Sequence, residues 1–177
     1  ALLNELGNIH SLGEEYEQAL DAYSQAIALA PAVASYHMNK GVLLRKMEQY
    51  PPAIRELESA TRLDPVCARA YHELGIALEG AGHSHEAMSA LRHATELDPQ
   101  NPAPFYDYAR TCQRIGNGDD AIIALHCALG LHPDWAAAHY LLAQLYQQRG
   151  NLTEAAEQFT HAVTLDPQQA AYHRDTG

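Results

Sequence analysis

Proline recurs at a fixed interval along the chain, and this spacing restricts the fold more than any other feature. Five prolines are spaced 34 residues apart, namely Pro31, Pro65, Pro99, Pro133 and Pro167. Because proline lacks a backbone N–H and disfavours helix in the residue before it, each position marks the end of a predicted helix. Helices that end at the same point of every 34-residue segment indicate a tandem repeat.

Small residues keep the same phase in three columns of the repeat. All fifteen positions hold Gly or Ala: Ala19, Ala53, Ala87, Ala121 and Ala155; Ala26, Ala60, Ala94, Ala128 and Ala162; Gly7, Gly41, Gly75, Ala109 and Ala143. Helices that cross closely need small side chains at the contact. These columns therefore predict two helices in each repeat that cross at a fixed point.

Large apolar residues fill two further columns, at helical spacing from the alanines. One column holds Tyr23, Leu57, Leu91, Leu125 and Phe159, and the other holds Leu29, Leu63, Leu97, Leu131 and Leu165. This spacing places both columns on the predicted buried stripe of the helices.

The third repeat illustrates the predicted local structure. Its first helix is predicted over about 69–80 and its second over about 85–97, with a turn at Gly82, His83 and Ser84 between them. Gly116 and Gly150 occupy the same place in later repeats, where glycine tolerates a left-handed backbone.

This pattern of small, aromatic or leucine, alanine and proline positions resembles the tetratricopeptide repeat, and the resemblance covers essentially the whole chain. It implies an all-α fold, a right-handed α-solenoid superhelix of five helix–turn–helix repeats followed by a truncated sixth helix. The expected organisation is a single domain over 1–177, with repeats at about 1–33, 34–67, 68–101, 102–135 and 136–169 and a partial repeat at 170–177.

In this family the first helices of the repeats line a concave groove that typically holds an extended peptide or a partner helix. The resemblance therefore implies a protein–protein interaction scaffold. The residues predicted to line the peptide-binding groove are Asn4, Asn8, Asn39, Arg45, Arg69, His72, Tyr106, Arg110, Arg114, Tyr140 and Gln144.

Charge favours an anionic partner for this groove. Five groove positions in each repeat, chosen by analogy with the family, together hold five of the eleven Lys and Arg residues but one of the 22 acids, Glu79. A basic groove in an acidic chain would attract a segment that bears Asp, Glu, a phosphate or a free carboxylate. The alternative is that these basic residues pair with acids at the groove edge, such as Glu73 and Asp107, and such surface pairs contribute little.

Tyrosine and asparagine are the other candidate contacts. Tyr106 and Tyr140 occupy the same groove column in successive repeats, and exposed tyrosines often anchor a partner, although each ring could instead cover a neighbouring helix. Asn4, Asn8 and Asn39 can pair with a peptide backbone through both donor and acceptor.

Several functional classes are disfavoured by composition. A net charge of −11 and a pI near 5.3 argue against nucleic acid and anionic membranes as partners. No apolar run is long enough to span a bilayer. The three cysteines, Cys67, Cys112 and Cys127, have irregular spacing that suits neither a disulfide framework nor a zinc ribbon, and they favour a reducing, cytoplasmic location.

No catalytic or metal-binding motif is recognisable in the sequence. The eleven histidines lack the converging spacing of a zinc site, and there is no nucleophile elbow, phosphate loop or HExxH sequence. We therefore expect no metal, no cofactor and no enzyme activity within these residues.

Two alternative functions remain open at this point. Because the chain begins at Ala1 without a methionine, it is interpreted as a piece of a longer protein, and it would then be the substrate-recruiting arm of an enzyme such as a glycosyltransferase or a sulfotransferase. The second alternative is a self-assembling scaffold, a homo-oligomer formed through uncapped apolar ends.

Overall fold

The computed structural model describes residues 1–167, and within them it contains ten α-helices and no β-strand. The helices are α1 (Leu2–Leu12), α2 (Tyr16–Leu29), α3 (Ala34–Lys46), α4 (Tyr50–Leu63), α5 (Ala68–Gly80), α6 (Ser84–Leu97), α7 (Pro102–Arg114), α8 (Gly118–Leu131), α9 (Ala136–Gln148) and α10 (Leu152–Leu165).

The helices form five pairs, α1–α2, α3–α4, α5–α6, α7–α8 and α9–α10, and each pair lies within one predicted repeat. The predicted all-α repeat fold is thereby confirmed. In the third repeat, α5 and α6 each begin one residue before the predicted start and end where predicted. The partial sixth helix predicted at 170–177 lies outside the described residues.

The chain divides into two compact units. Unit 1 is Ala1–Leu97 and contains three helix pairs, in which α3 packs against α2, α5 packs against α4, and α3 also contacts both α1 and α5. Unit 2 is Asp98–Gly177, and its described part contains two helix pairs, with α9 packed against α8 and in contact with α7.

The columns of small residues lie where the two helices of a pair cross. Ala53, Ala87 and Ala121 are fully buried. At Gly75, a Cβ atom would lie 2.5 Å from Cγ of Leu91, so the leucine occupies the space that any side chain would need. Gly7 leaves the same kind of space for the ring of Tyr23. The predicted close crossing of paired helices is present for this physical reason.

The two columns of large apolar residues differ in how deeply they are buried. Leu57, Leu91 and Leu125 are almost completely buried, as predicted. The prediction was wrong for the second column, because Leu29 is 78% exposed and Leu63 is 40% exposed. Leu131 and Leu165 are also exposed, and Leu97 is half-buried. Each of these leucines is the last residue of a second helix. Helical spacing sets the direction of these side chains, but at the end of a helix the neighbouring chain decides whether they are covered.

The turn within each pair contains one residue with a left-handed backbone. Gly82, Gly116 and Gly150 hold this position in the last three repeats, with φ near 80°. In the first two repeats the equivalent residues are Glu14 and Glu48, with φ values of 59° and 58°. The turn geometry is therefore the same in all five repeats, although only three of them place glycine where it is needed.

None of the helices within residues 1–167 is both long enough and apolar enough to cross a membrane.

Candidate functional site

Four polar side chains form a hydrogen-bonded network between α1, α2 and α3 in unit 1. Asn39 donates from Nδ2 to Oδ1 of Asn4 at 3.0 Å and to Oδ1 of Asn8 at 3.3 Å. Tyr23 donates its phenolic hydrogen to the same Asn8 oxygen at 2.8 Å. Asn4 is only 6% exposed, so it supports the network from inside, while Asn8 and Asn39 are half-buried and face the surface.

The network forms one wall of a cavity of about 280 Å³. Asn8, Ser11 and Leu12 line it from α1, and Tyr23 lines it from α2. Asn39, Val42, Leu43 and Lys46 contribute from α3, and Arg69 contributes from α5. Residues from three successive repeats therefore meet around one space, and we call this space the unit 1 cavity.

Two cations lie at the cavity, and neither has an ion-pair partner among the residues that the structure describes. Lys46 and Arg69 are both exposed. Uncompensated positive charge beside a polar wall attracts an anionic group. A guanidinium can also hold a carboxylate with two parallel hydrogen bonds.

Arg45, which was also predicted to line the groove, is engaged with α5. Its Nε and Nη2 atoms both lie 2.9 Å from Oε2 of Glu73, whose side chain is only 14% exposed. The edge-pairing alternative is therefore realised at this residue. Arg45 contributes to the packing of α3 on α5 and brings little free charge to the cavity.

Burial governs the chemistry of Tyr23 in the network. The ring is 3% exposed, and this burial raises the pKa of the phenol above its ordinary value. The phenol therefore keeps its proton and remains a donor to Asn8 throughout the neutral range.

His72, a further predicted groove residue, is half-buried on α5.

In unit 2 the predicted groove tyrosines pack against other rings. The ring of Tyr106 lies 4.6 Å from that of Trp135, measured between ring centroids, with 30° between their planes. The ring of Tyr140 lies 5.6 Å from that of Phe159 in an edge-on arrangement. Both tyrosines are half-buried, so each covers a neighbouring side chain and still offers part of its surface.

The remaining predicted residues of unit 2 lie on α7 and α9. Arg110 is 47% exposed, and its Nη2 atom lies 3.1 Å from Oδ1 of Asp107 on the same helix. Arg114 is exposed at the end of α7, and Gln144 is half-buried on α9. Arg110 thus pairs with the predicted edge acid Asp107, but within α7, whereas Arg45 pairs with Glu73 across neighbouring helices, as the alternative expected.

Sequence reasoning missed Tyr23 as a site residue and assigned it only to the core. The signal was present, because Tyr23 is the one residue with a polar atom in a column that otherwise holds Leu57, Leu91, Leu125 and Phe159. A hydroxyl group at a buried position requires a hydrogen-bond partner, and here that partner is Asn8.

Within residues 1–167, no group of three or more His, Cys, Asp or Glu residues is arranged to hold a metal ion. Cys112 is buried, Cys67 is half-buried and Cys127 is exposed, and all three are free thiols. Unit 1 thus places amide groups and two cations around one cavity.

A family model described as a tetratricopeptide repeat matches residues 5–46, 40–102 and 106–170. The chain belongs to the tetratricopeptide repeat family. No curated protein sequence matches the chain.

Solved structures share this tetratricopeptide repeat fold. A crystal structure of MamA has a TM-score of 0.87 and 23% identity, over 94% of this chain and 98% of that one. A structure of MamA from Desulfovibrio magneticus RS-1 has a TM-score of 0.87 and 18% identity, over 95% of each chain. A crystal structure of YrrB, described as a tetratricopeptide repeat protein with an unusual peptide-binding site, has a TM-score of 0.84 and 23% identity, over 99% of this chain and 91% of that one. At these identities the similarity establishes the fold alone.

Proposed function

We propose that this chain is a protein-interaction module that binds an extended acidic segment of a partner protein in the unit 1 cavity. The observation that carries the proposal is the combination of the Asn8 and Asn39 amides with the two cations Lys46 and Arg69. The amides would pair with the peptide backbone, and the cations would hold a carboxylate.

The fixed geometry of the cavity supports binding over a merely structural role. Asn8 is held by Tyr23 and Asn39, so its orientation is set before a ligand arrives. Preorganised polar groups lower the entropy cost of binding. The amide nitrogen of Asn8 has only a long contact of 3.5 Å, to Glu5 Oε2, and that nitrogen is the donor offered to a ligand.

Membership of the tetratricopeptide repeat family supports protein or peptide binding in general, without specifying an acidic partner. Tetratricopeptide repeat proteins act as scaffolds, and YrrB is described as having a peptide-binding site. The acidic nature of the bound segment rests on Lys46 and Arg69.

The test compares two charge-reversal variants of equal net charge. Lys46→Glu/Arg69→Glu changes the cavity, and Arg55→Glu/Arg62→Glu changes two exposed arginines of α4 that do not line it. Each protein is titrated by fluorescence anisotropy with arrayed short peptides rich in Asp and Glu, and with the matching peptides that carry Asn and Gln.

We expect the wild type and the α4 variant to bind a subset of the acidic peptides, and the cavity variant to lose them. Raising the ionic strength should weaken this binding, because exposed charges are screened. The cavity would not be a site for acidic segments if both variants lost the same amount of affinity for the acidic peptides. The same conclusion would follow if the Asn and Gln peptides bound as tightly as the acidic ones.

A third variant, Arg110→Glu/Arg114→Glu, tests whether the peptides bind on α7 instead. If the same peptides are lost in this variant and retained by Lys46→Glu/Arg69→Glu, the binding site belongs to α7 and not to the unit 1 cavity.

A further inference from the structure

A second concave surface lies on the opposite side of α1 from the unit 1 cavity. It has a volume of about 390 Å³ and lies between α1 and α2. Leu3, Leu6 and Ala22 form its apolar floor, and Glu17, Gln18 and Asp21 form one rim. We call it the α1–α2 furrow. Since successive residues of an α-helix are about 100° apart, Leu6 lies about 160° around α1 from Asn8, and the two surfaces use different faces of α1.

A similar furrow lies two repeats later in the chain. Between α5 and α6 a concave surface of about 320 Å³ has Tyr71, Leu74 and Ala90 in its floor. These residues occupy the same repeat positions as Leu3, Leu6 and Ala22, two repeats further along the chain. The α5–α6 furrow is open although α4 packs against α5. A furrow of this kind therefore does not require the preceding helix pair to be absent.

In the second repeat the equivalent place is occupied by charged side chains. Lys40 replaces the leucine, and its Nζ atom lies 2.9 Å from Oε1 of Glu56 on α4. His37 contacts the other oxygen of Glu56 at 2.7 Å. These bridges join α3 to α4 across the place where the first repeat has Leu3 and Leu6. An apolar floor open to solvent is thus a feature of particular repeats.

The charge around the α1–α2 furrow is of one sign. Residues 1–39 contain no Lys or Arg, and they contain five acids, of which Glu17 and Asp21 line the furrow. Both of these side chains are exposed. His10, also in the lining, is bonded to Glu15. A cleft with an apolar floor and an acidic rim is complementary to a segment that carries large apolar residues together with Lys or Arg.

We propose that the α1–α2 furrow is a second docking site, which takes a basic amphipathic segment of a partner protein. The apolar residues of that segment lie on Leu3, Leu6 and Ala22, and its cations lie beside Glu17 and Asp21. The cleft is near the lower end of the range of about 300–1,000 Å³ typical of binding clefts, which suits one or two apolar side chains. The chain thereby holds partners of opposite charge on opposite faces of α1.

The probe for this site is a fluorescein-labelled amphipathic helix peptide with leucines along one face and lysines elsewhere. Two control peptides accompany it: one has glutamate in place of each lysine, and the other has the same composition scrambled so that no leucine stripe forms. Binding is measured by fluorescence anisotropy at low ionic strength.

The protein variants separate the furrow from general charge effects. Glu17→Lys/Asp21→Lys alters the furrow, and Glu58→Lys/Asp134→Lys reverses two exposed acids elsewhere on the surface. We expect the first variant to bind the probe about tenfold or more weakly than the wild type does. The second variant should lose less than about twofold in affinity. Glu17→Gln/Asp21→Asn, which removes the charges without reversing them, should give an intermediate loss and guards against a folding defect in the first variant.

Several results would overturn the proposal. The furrow would not be a site for a basic amphipathic segment if both charge-reversal variants lost the same amount of affinity for the probe. The same conclusion would follow if either control peptide bound the wild type as tightly as the probe does. Tighter binding of the lysine-rich probe by Lys46→Glu/Arg69→Glu, together with unchanged binding by Glu17→Lys/Asp21→Lys, would place the probe in the unit 1 cavity, because the reversal there replaces two cations by two carboxylates. A mass that rises with protein concentration in the wild type, but not in Glu17→Lys/Asp21→Lys, would assign the furrow to a second copy of the chain. In the expected case, amide NMR shifts caused by the probe map to α1 and α2.

Discussion

The phenolic oxygen of Tyr23 lies 2.8 Å from Oδ1 of Asn8, so a residue of α2 fixes the amide of a residue of α1. The ring of Tyr23 occupies the space beside Gly7 that a side chain there would fill. One tyrosine thus joins the packing of the first helix pair to the polar wall of the unit 1 cavity.

Tyr23→Phe should separate these two roles. The ring still fills the space beside Gly7, but Asn8 loses its donor, and we expect a loss of about 1–2 kcal/mol in the free energy of unfolding. Denaturant titration measures this change, and peptide titration should show weaker binding at the cavity. Tyr106→Phe is the control, because the Tyr106 hydroxyl has no hydrogen bond within the described residues. Equal loss of stability in both variants would contradict the role given to the Tyr23 hydroxyl.

Gly75→Ala should destabilise the chain by about 1–3 kcal/mol, because the added Cβ would lie 2.5 Å from Leu91 Cγ and the crossing of α5 and α6 must open. Gly130→Ala is the matched substitution, since a Cβ there meets nothing within 4 Å and alanine favours helix over glycine. We expect that variant to gain up to about 1 kcal/mol. Thermal unfolding of the two variants checks both signs, and the same sign for both would refute the packing argument.

Glu48→Gly should stabilise the turn between α3 and α4. Glu48 has a φ of 58°, and a left-handed backbone costs a residue with a side chain about 1–2 kcal/mol. Since glycine loses more entropy on folding, the expected net gain is about 0.5–1 kcal/mol. The reverse change, Gly116→Ala, should destabilise by a similar amount, although a Cβ there meets nothing within 4 Å. A neutral result for both changes would mean that the backbone at these turns relaxes.

Glu56→Gln should alter how stability depends on pH. Burial alone would raise the pKa of Glu56, but hydrogen bonds from His37 and Lys40 and their charges hold it below the usual value of 4.5. Because the folded pKa is lowered, this carboxylate stabilises the fold above pH 4.5, and the contribution is lost as the pH falls through the lowered value. The difference between wild type and variant should therefore be largest at neutral pH and shrink below 4.5.

Denaturant titrations between neutral and acidic pH measure this difference. Glu58→Gln is the control, because Glu58 is exposed on α4 and its carboxylate has no ion pair among the described residues. A constant difference between wild type and Glu56→Gln at every pH would contradict the linkage.

Much of the fold could be predicted because proline and the small residues act locally. Pro65 prevents the helix from continuing whatever the tertiary structure is. Ala87 and Gly75 allow a close helix crossing whichever helix packs against them. The exposure of Leu29 could not be predicted in this way. It depends on which residues of the neighbouring chain surround the end of α2, and the helical spacing that placed Leu29 on the buried stripe contains no information on those contacts.

The candidate site was predicted only in part for the same reason. The family pattern placed Asn8, Asn39 and Arg69 on first helices, and the structure brings them to one cavity. The family pattern could not predict that Arg45 forms an ion pair with Glu73 while the next residue, Lys46, lines the cavity. Side-chain pairing between helices depends on distances set by packing, and those distances are absent from the order of residues.

The sequence by itself determined the repeat, its length, the two helices in each repeat and the columns that cross, because these follow from backbone restrictions and side-chain volume acting within 34 residues. Only the tertiary structure decided which cations are paired, that Tyr23 fixes Asn8, and that the two faces of α1 border different clefts. Those outcomes depend on interatomic distances between helices, which become fixed only when the helices pack.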